Sequence, residues 1–153
     1  KGMPLGNHTS QFFANVYLND LDYFVKHELK AKYYIRYVDD FVILHESKTI
    51  LEEYGTNIDS YLKNLKLELH PEKSKIIPLM NGVSLLGYRV FYNYKLLRKS
   101  NLRKFEKNLK DKLNLYEMEI ISYEELAASL KGWLGYAMWA NTHKLRKKVF
   151  KRF

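Results

Sequence analysis

Phe12, Phe13, Val16, Tyr17, Leu21, Phe24 and Val25 recur at three- and four-residue steps, which predicts a helix over residues 9–28 with a wide apolar face. A loop from Gly2 to His8 precedes it, broken by Pro4 and Gly6, with Asn7 or Thr9 placed to cap the helix. The period then changes. Tyr33 to Val38 and Phe41 to Leu44 are aromatic and β-branched, and only Asp39-Asp40 separates them, which predicts a hairpin with the acid pair at its tip. Thr49 to Glu52 has the form of a capping box, and Ile50, Leu51, Tyr54, Ile58, Tyr61, Leu62 and Leu65 place an amphipathic helix over 48–66. Ser74 to Leu79 reads as a short strand, Asn81-Gly82 as a turn, and Val83 to Phe91 as a second β segment. After Asn93 the pattern is helical throughout. Leu102, Phe105, Leu109, Leu113 and Tyr116 share one face, Ser122 to Glu125 opens a second helix to about Ala140, and His143 to Phe153 makes a third.

Composition sharpens this α+β outline. The 153 residues are 46% hydrophobic and 28% charged, enough to bury a core. The net charge is +9, and it is localised. Residues 1–94 carry 11 basic and 11 acidic side chains, whereas residues 95–153 carry 15 basic and 6 acidic ones. The step in charge coincides with the change to helical pattern, which divides the chain into 1–94 and 95–153. A localised positive charge points to a polyanion, nucleic acid first and an anionic membrane face second. No apolar run approaches the roughly 20 residues that span a bilayer. The absence of cysteine excludes disulfides, thiolate catalysis and Cys-ligated metal, and it fits a reducing, cytoplasmic setting. The chain opens at Lys1-Gly2-Met3-Pro4, in mid-pattern, and reads as an internal piece of something longer.

Asp39 and Asp40 are the residues whose chemistry stands out. Asp is a common turn residue, but two adjacent carboxylates at the tip of an apolar hairpin repel each other without local compensation. A divalent cation supplies it. Mg²⁺ takes one or two protein carboxylates and completes its octahedron with water and phosphate, and two such ions serve an in-line phosphoryl transfer.

Tyr37-Val38-Asp39-Asp40 between two β runs resembles the catalytic hairpin of reverse transcriptases. Gly2 to Gln11, followed by Phe13 to Leu18, resembles the loop-and-helix motif that precedes that hairpin in the bacterial, group II intron-like branch. Leu67 to Lys75 and Leu85-Leu86-Gly87-Tyr88 are similar to the next two palm motifs, and Gly132 to Leu145 to the thumb signature. The resemblance runs over essentially the whole chain in the right order. It implies a partial polymerase palm, an antiparallel sheet with two packed helices, over 1–94, followed by a basic three-helix thumb over 95–153. It also implies an RNA-directed DNA polymerase that extends a primer with deoxynucleotides by two-metal chemistry. Asp39 and Asp40 would then ligate Mg²⁺, Lys73 would act on departing pyrophosphate, and Tyr37 would lie near the primer end. Leu5, Gly6, Ser10 and Gln11 would border the nascent base pair. On the bland reading Lys73 is a solvated lysine after a helix.

Two departures from the family pattern bear on these expectations. Leu5-Gly6-Asn7-His8-Thr9-Ser10-Gln11 stands where most relatives have Gln-Gly-x-x-x-Ser-Pro, a variant characteristic of diversity-generating retroelements and shared with some defence-associated enzymes. The family also takes its third carboxylate and its fingers from upstream of this sequence, and His8, Glu46 and Glu68 sit in no motif that replaces that ligand. Weak Mg²⁺ affinity and no primer extension by this piece alone are therefore expected. In the basic half, Lys99, Arg103, Lys107 and Lys110 lie opposite the apolar stripe, and Lys144, Arg146, Lys147 and Lys148 crowd the C-terminal helix, all suited to phosphate contacts. Trp133, Tyr136 and Trp139, at three-residue steps, fit a helical core better than a stacking surface for bases. The expected partners are an RNA template, a DNA or RNA primer, deoxynucleoside triphosphates and a small basic accessory protein, with no membrane. An open sheet edge would invite pairing of two copies. The competing reading is a non-catalytic, maturase-like RNA-binding or assembly module.

Overall fold

The computed structural model describes residues 8–150, which form helices and antiparallel sheets in two compact units, 1–76 and 77–153. The division falls between Ile76 and Ile77, ahead of the step in charge near residue 95, because the last three strands share a core with the C-terminal helices.

In the first unit, the predicted helix over 9–28 is three helical pieces: α1 (His8–Tyr17), α2 (Asn19–Tyr23) and a π-helical turn, Phe24–Glu28. Hydrogen bonds from Leu18 N to Ala14 O and from Asp22 N to Leu18 O carry the ladder across the junction. The bond from Leu29 N to Phe24 O is the wide π type, and Lys30 at φ 53° ends the run. Strands β1 (Tyr33–Tyr37) and β2 (Asp40–Leu44) pair antiparallel from Tyr33↔Leu44 to Tyr37↔Asp40. Helix α3 (Lys48–Asn64) follows, and its cap is Ser47, whose side chain accepts from Ile50 N, not the predicted Thr49 box. Leu21, Val25, Ala31, Ile58 and Leu62 are buried together, with Phe24 stacked on Tyr61 at 4.2 Å. Two helical layers therefore back one hairpin.

Residues 74–78 form no strand, contrary to the pattern. Positions 71–78 are all exposed, the chain turns at His70 to Ser74, and Pro78 has no N–H to place in a ladder. A 3₁₀ turn at Leu79–Asn81 and Gly82 at φ 72° make the predicted Asn81-Gly82 turn and open the second unit. The single β segment predicted over 83–91 is a hairpin extended to a third strand: β3 (Val83–Leu85), β4 (Tyr88–Val90) and β5 (Lys95–Leu97). Leu86 at φ 50° and Gly87 at φ 82° form its two-residue turn, with the two positive φ values of a tight hairpin. The palm sheet expected as one piece is thus two sheets, of two and three strands.

Helices α4 (Lys99–Glu117), α5 (Tyr123–Met138) and α6 (His143–Phe150) complete the unit. Ser122 and Glu125 form the predicted capping box, with reciprocal bonds of 3.2 and 3.1 Å. Leu97, Leu109, Leu126, Trp133, Ala137 and Val149 make the core, where Trp133 stacks on Phe105 at 3.8 Å and 7°. Thr142 is buried between α5 and α6 and donates to Ala137 O at 2.6 Å. Trp139, expected in this core, is instead 70% exposed, at the capping position just past the last residue of α5. No described helix is long and apolar enough to cross a membrane.

Candidate active site and nucleic-acid interface

The β1–β2 hairpin carries the acid pair, with a shifted turn. Tyr37 pairs with Asp40, so the loop residues are Val38 and Asp39, and Asp40 is the first residue of β2. Val38 has φ 54°, an unusual conformation for a β-branched side chain. Side chains alternate along β1: Tyr33, Ile35 and Tyr37 are exposed, while Tyr34 and Arg36 turn inward. Tyr37 therefore stands on the open face next to an exposed Asp39 and an exposed Asp40. Neither aspartate has an ion pair among the described residues.

The inward face holds a polar cluster that the pattern analysis did not single out. Arg36 Nε donates to Asp22 Oδ1 at 2.7 Å, and its Nη2 meets Asp22 Oδ2 at 2.5 Å. Its Nη1 donates to Val38 O at 2.7 Å and to Asn15 Oδ1 at 3.0 Å, and Tyr34 Oη donates to Asp22 Oδ1 at 2.6 Å. The Arg36 hydrogen bond holds the Asp22 carboxyl below the usual carboxylate range against an opposing effect of burial. Burial first, and then the bond to Asp22, push the Tyr34 phenol well above its ordinary value. The available signal was a cation on the inner face of an apolar strand, two residues from the acid pair, with nothing in the sequence to name its partner.

The predicted site residues are brought together only in part. Asn15 ties α1 to the hairpin, and Gln11 lies one turn before Asn15 on the same helix, with Ser10 beside it. Leu5 and Gly6 lie outside the described residues. Lys73 is exposed in the turn after α3, where its amide bonds to His70 O, and no described contact joins its side chain to Asp39 or Asp40. Among the described residues no cluster of three or more His, Asp or Glu could hold a metal. Two adjacent, uncompensated carboxylates fit a hard divalent cation as part of a ligand set, with oxygens from water and phosphate completing it.

In the second unit Lys99, Arg103 and Lys107 recur at four-residue steps on α4, and Lys144, Lys147 and Lys148 are exposed on α6. No ion pair neutralises any of them among the described residues. Arg146 is half-buried, and its Nε is buried without a hydrogen-bond partner. The Lys95 ammonium stands 5.5 Å from the Tyr88 ring centre and 5.6 Å from that of Trp139. The two motifs of this unit also meet. Tyr136 Oη donates to Gly87 O at 2.8 Å, and Tyr88 Oη donates to Tyr136 O at 2.9 Å.

A comparison with curated proteins returns no match. Residues 1–90, more than half of the chain, match the family model for reverse transcriptase (RNA-dependent DNA polymerase). That span takes in the Tyr37-Val38-Asp39-Asp40 hairpin, its supporting helices and the Leu85-Leu86-Gly87-Tyr88 turn. Because that match covers more than half of its length, the chain belongs to the reverse transcriptase family.

Proposed function

We propose that this chain supplies the palm (1–94) and thumb (95–153) parts of an RNA-directed DNA polymerase, in which Asp39 and Asp40 bind Mg²⁺ for two-metal phosphoryl transfer. One observation carries the reading: an exposed acid pair, without a counter-ion among the described residues, at a hairpin turn within the family match. Bound Mg²⁺ would neutralise charge on the attacking and leaving oxygens. The protein's own part is positioning. Asp40 offers its oxygens from a paired strand end and Asp39 from the turn residue just before it, which limits the freedom of both. Tyr37 stands on the same open face, where a primer end would lie. Ser10 and Gln11 come from the helix that Asn15 ties to the hairpin, which supports a place beside the nascent base pair; Leu5 and Gly6, outside the described residues, are assigned to the same base pair by their motif alone. Lys73 has no ion pair among the described residues and is assigned to the departing pyrophosphate.

The thumb role rests on charge. Lys99, Arg103, Lys107, Lys144, Arg146, Lys147 and Lys148 would hold duplex phosphates, a sequence-independent contact that suits an enzyme obliged to hold every product it makes. The Leu5-Gly6-Asn7-His8-Thr9-Ser10-Gln11 motif supports the diversity-generating branch of the group II intron-like enzymes, with a small basic accessory protein as partner and a cytoplasmic setting. The outer edges of the two-stranded sheet support pairing with a second copy.

The test is primer extension on a primed RNA template by a protein that joins this chain to an upstream palm strand bearing the third carboxylate. Asp39→Asn and Asp40→Asn are each expected to abolish incorporation while RNA binding persists. Unchanged incorporation in either variant overturns the assignment. RNA binding without synthesis by the parent protein favours the non-catalytic, maturase-like reading. The chain by itself is expected not to extend primers.

A further inference from the structure

Val38 needs an explanation. A β-branched residue at φ 54° is held in a region that costs free energy, and such a conformation persists only where its surroundings over-determine it. The turn itself offers little, since Asp39 and Asp40 are exposed and the flanking Tyr37 points to the open face. What grips the turn is the Arg36 guanidinium. One edge is locked by two bonds to the Asp22 carboxylate, itself oriented by the Tyr34 hydroxyl. The plane of the fork is then fixed, and its remaining nitrogen, Nη1, is aimed at Val38 O at 2.7 Å, with Asn15 Oδ1 accepting beside it. Val38 O belongs to the peptide that leads into Asp39, so fixing that oxygen fixes the direction in which the chain enters Asp39.

We infer that Arg36 is the positioning residue of the Asp39-Asp40 turn: anchored by Asp22, it holds the Val38 carbonyl and keeps the turn in its left-handed conformation, so that both carboxylates are presented to a divalent cation. The inference rests on the proposed metal role of the aspartates for its purpose, but not for its geometry. An ordinary buried ion pair between strand and helix would need the Asp22 contacts only. The bond to Val38 O sets this arrangement apart, and it makes a distinctive demand: the clamp is needed because residue 38 carries a side chain. Glycine at that position adopts the left-handed region without penalty and makes the clamp dispensable.

The test is site-resolved amide exchange on the 153-residue chain, with Mn²⁺ line broadening as a second readout. In Arg36→Gln, the Tyr37 and Asp40 amides, which close the turn, are expected to exchange about tenfold faster or more, the scale set by release of a strained turn, while Ile58 and Leu62 in the core keep their protection. Adding Val38→Gly should return the turn to within about threefold of the parent, because glycine carries no left-handed strain there. Arg36→Lys covers the case in which Arg36→Gln does not fold: a lysine keeps the charge opposite Asp22 but cannot fork to Val38 O, so the turn should still loosen. Unchanged exchange at Tyr37 and Asp40 in Arg36→Lys overturns the inference. So does loosening spread equally to Ile58 and Leu62 with no recovery on adding Val38→Gly. Mn²⁺ should broaden the Asp39 and Asp40 signals of the parent and broaden them less in Arg36→Gln. A parent chain that shows no broadening counts against the metal role, whereas the exchange pattern decides the clamp.

Discussion

The Tyr136 hydroxyl donates to the Gly87 carbonyl at 2.8 Å, and this one bond joins α5 to the turn between β3 and β4. The Tyr88 hydroxyl returns the contact by donating to Tyr136 O at 2.9 Å, with the two rings 4.8 Å apart. Gly87 O also accepts from Arg98 N at 3.0 Å, which ties the start of α4 to the same point. The short motif Leu86-Gly87-Tyr88 is therefore a packing device, and the glycine is needed twice over. Its φ is 82°, and a Cβ there would collide with the Tyr136 hydroxyl.

Gly87→Ala is accordingly expected to destabilise the chain by about 2 kcal/mol or more, from the left-handed backbone and the collision together. Combining it with Tyr136→Phe should recover part of the loss, since the colliding oxygen is gone. Denaturant unfolding of the single and double variants measures both. A loss below about 0.5 kcal/mol, the range of ordinary surface changes, would show that the turn relaxes freely.

Trp133 in α5 and Trp139 just past its end should behave oppositely. Trp133 is 9% exposed and stacks face to face on Phe105, so Trp133→Ala should cost about 3–5 kcal/mol. Trp139 is 70% exposed, and Trp139→Ala should change stability by no more than about 0.5 kcal/mol. Thermal unfolding of the pair distinguishes the buried ring from the exposed one.

Stability should fall at both ends of the pH scale because of one cluster. The Asp22 carboxyl, held low first by its bond to Arg36, stabilises the fold above the ordinary carboxylate pKa of about 3.9, and that contribution is lost as pH falls through the lower folded value. The Tyr34 phenol, raised by burial and by Asp22, contributes fully below the ordinary tyrosine value of about 10 and loses that contribution as pH rises towards its folded value. Unfolding midpoints measured from pH 3 to 11 should show both slopes. Asp22→Asn should flatten the acid limb, and Tyr34→Phe the alkaline one.

Nucleic-acid binding should depend on salt and on the lysines and arginines of the second unit that have no ion pair among the described residues. Replacing Lys99, Arg103 and Lys107 by Ala, or Lys144, Lys147 and Lys148, should weaken duplex binding without changing sequence preference. Each lost phosphate contact should reduce the log–log salt slope by about 0.9. Titrations at four or five salt concentrations read this directly, and an unchanged slope would remove these side chains from the interface.

Much of the fold was legible because local pattern and tertiary outcome agree. The amphipathic stripes at Ile50 to Leu65 and Leu102 to Leu113 became α3 and α4, and the Ser122 capping box formed as written. Legibility failed where a long-range partner decides. Ser74 to Leu79 has strand-like residues but no strand beside it, so its backbone found no ladder. Val83 to Phe91 looked like one segment, and only the meeting of Gly87 with Tyr136 shows why the chain folds back at Leu86-Gly87. At the acid pair the hairpin was plain, but its turn lies one residue earlier than the pattern placed it, because Arg36 holds the Val38 carbonyl and Tyr37 pairs with Asp40.

The sequence by itself determined the acid pair on a hairpin, the order of the helices, and the location of the positive charge in the C-terminal part. Those properties depend on residue type and on spacing along the chain, which is all that periodicity and charge require. Only the tertiary structure decided that Asp22, fourteen residues before Arg36, anchors the guanidinium that donates to the Val38 carbonyl. It also decided that Trp133 is core while Trp139 is surface, and that the last three strands pack with the helices that follow them. Each of these depends on which distant side chain arrives within hydrogen-bond or van der Waals reach, and spacing along the chain does not carry that information.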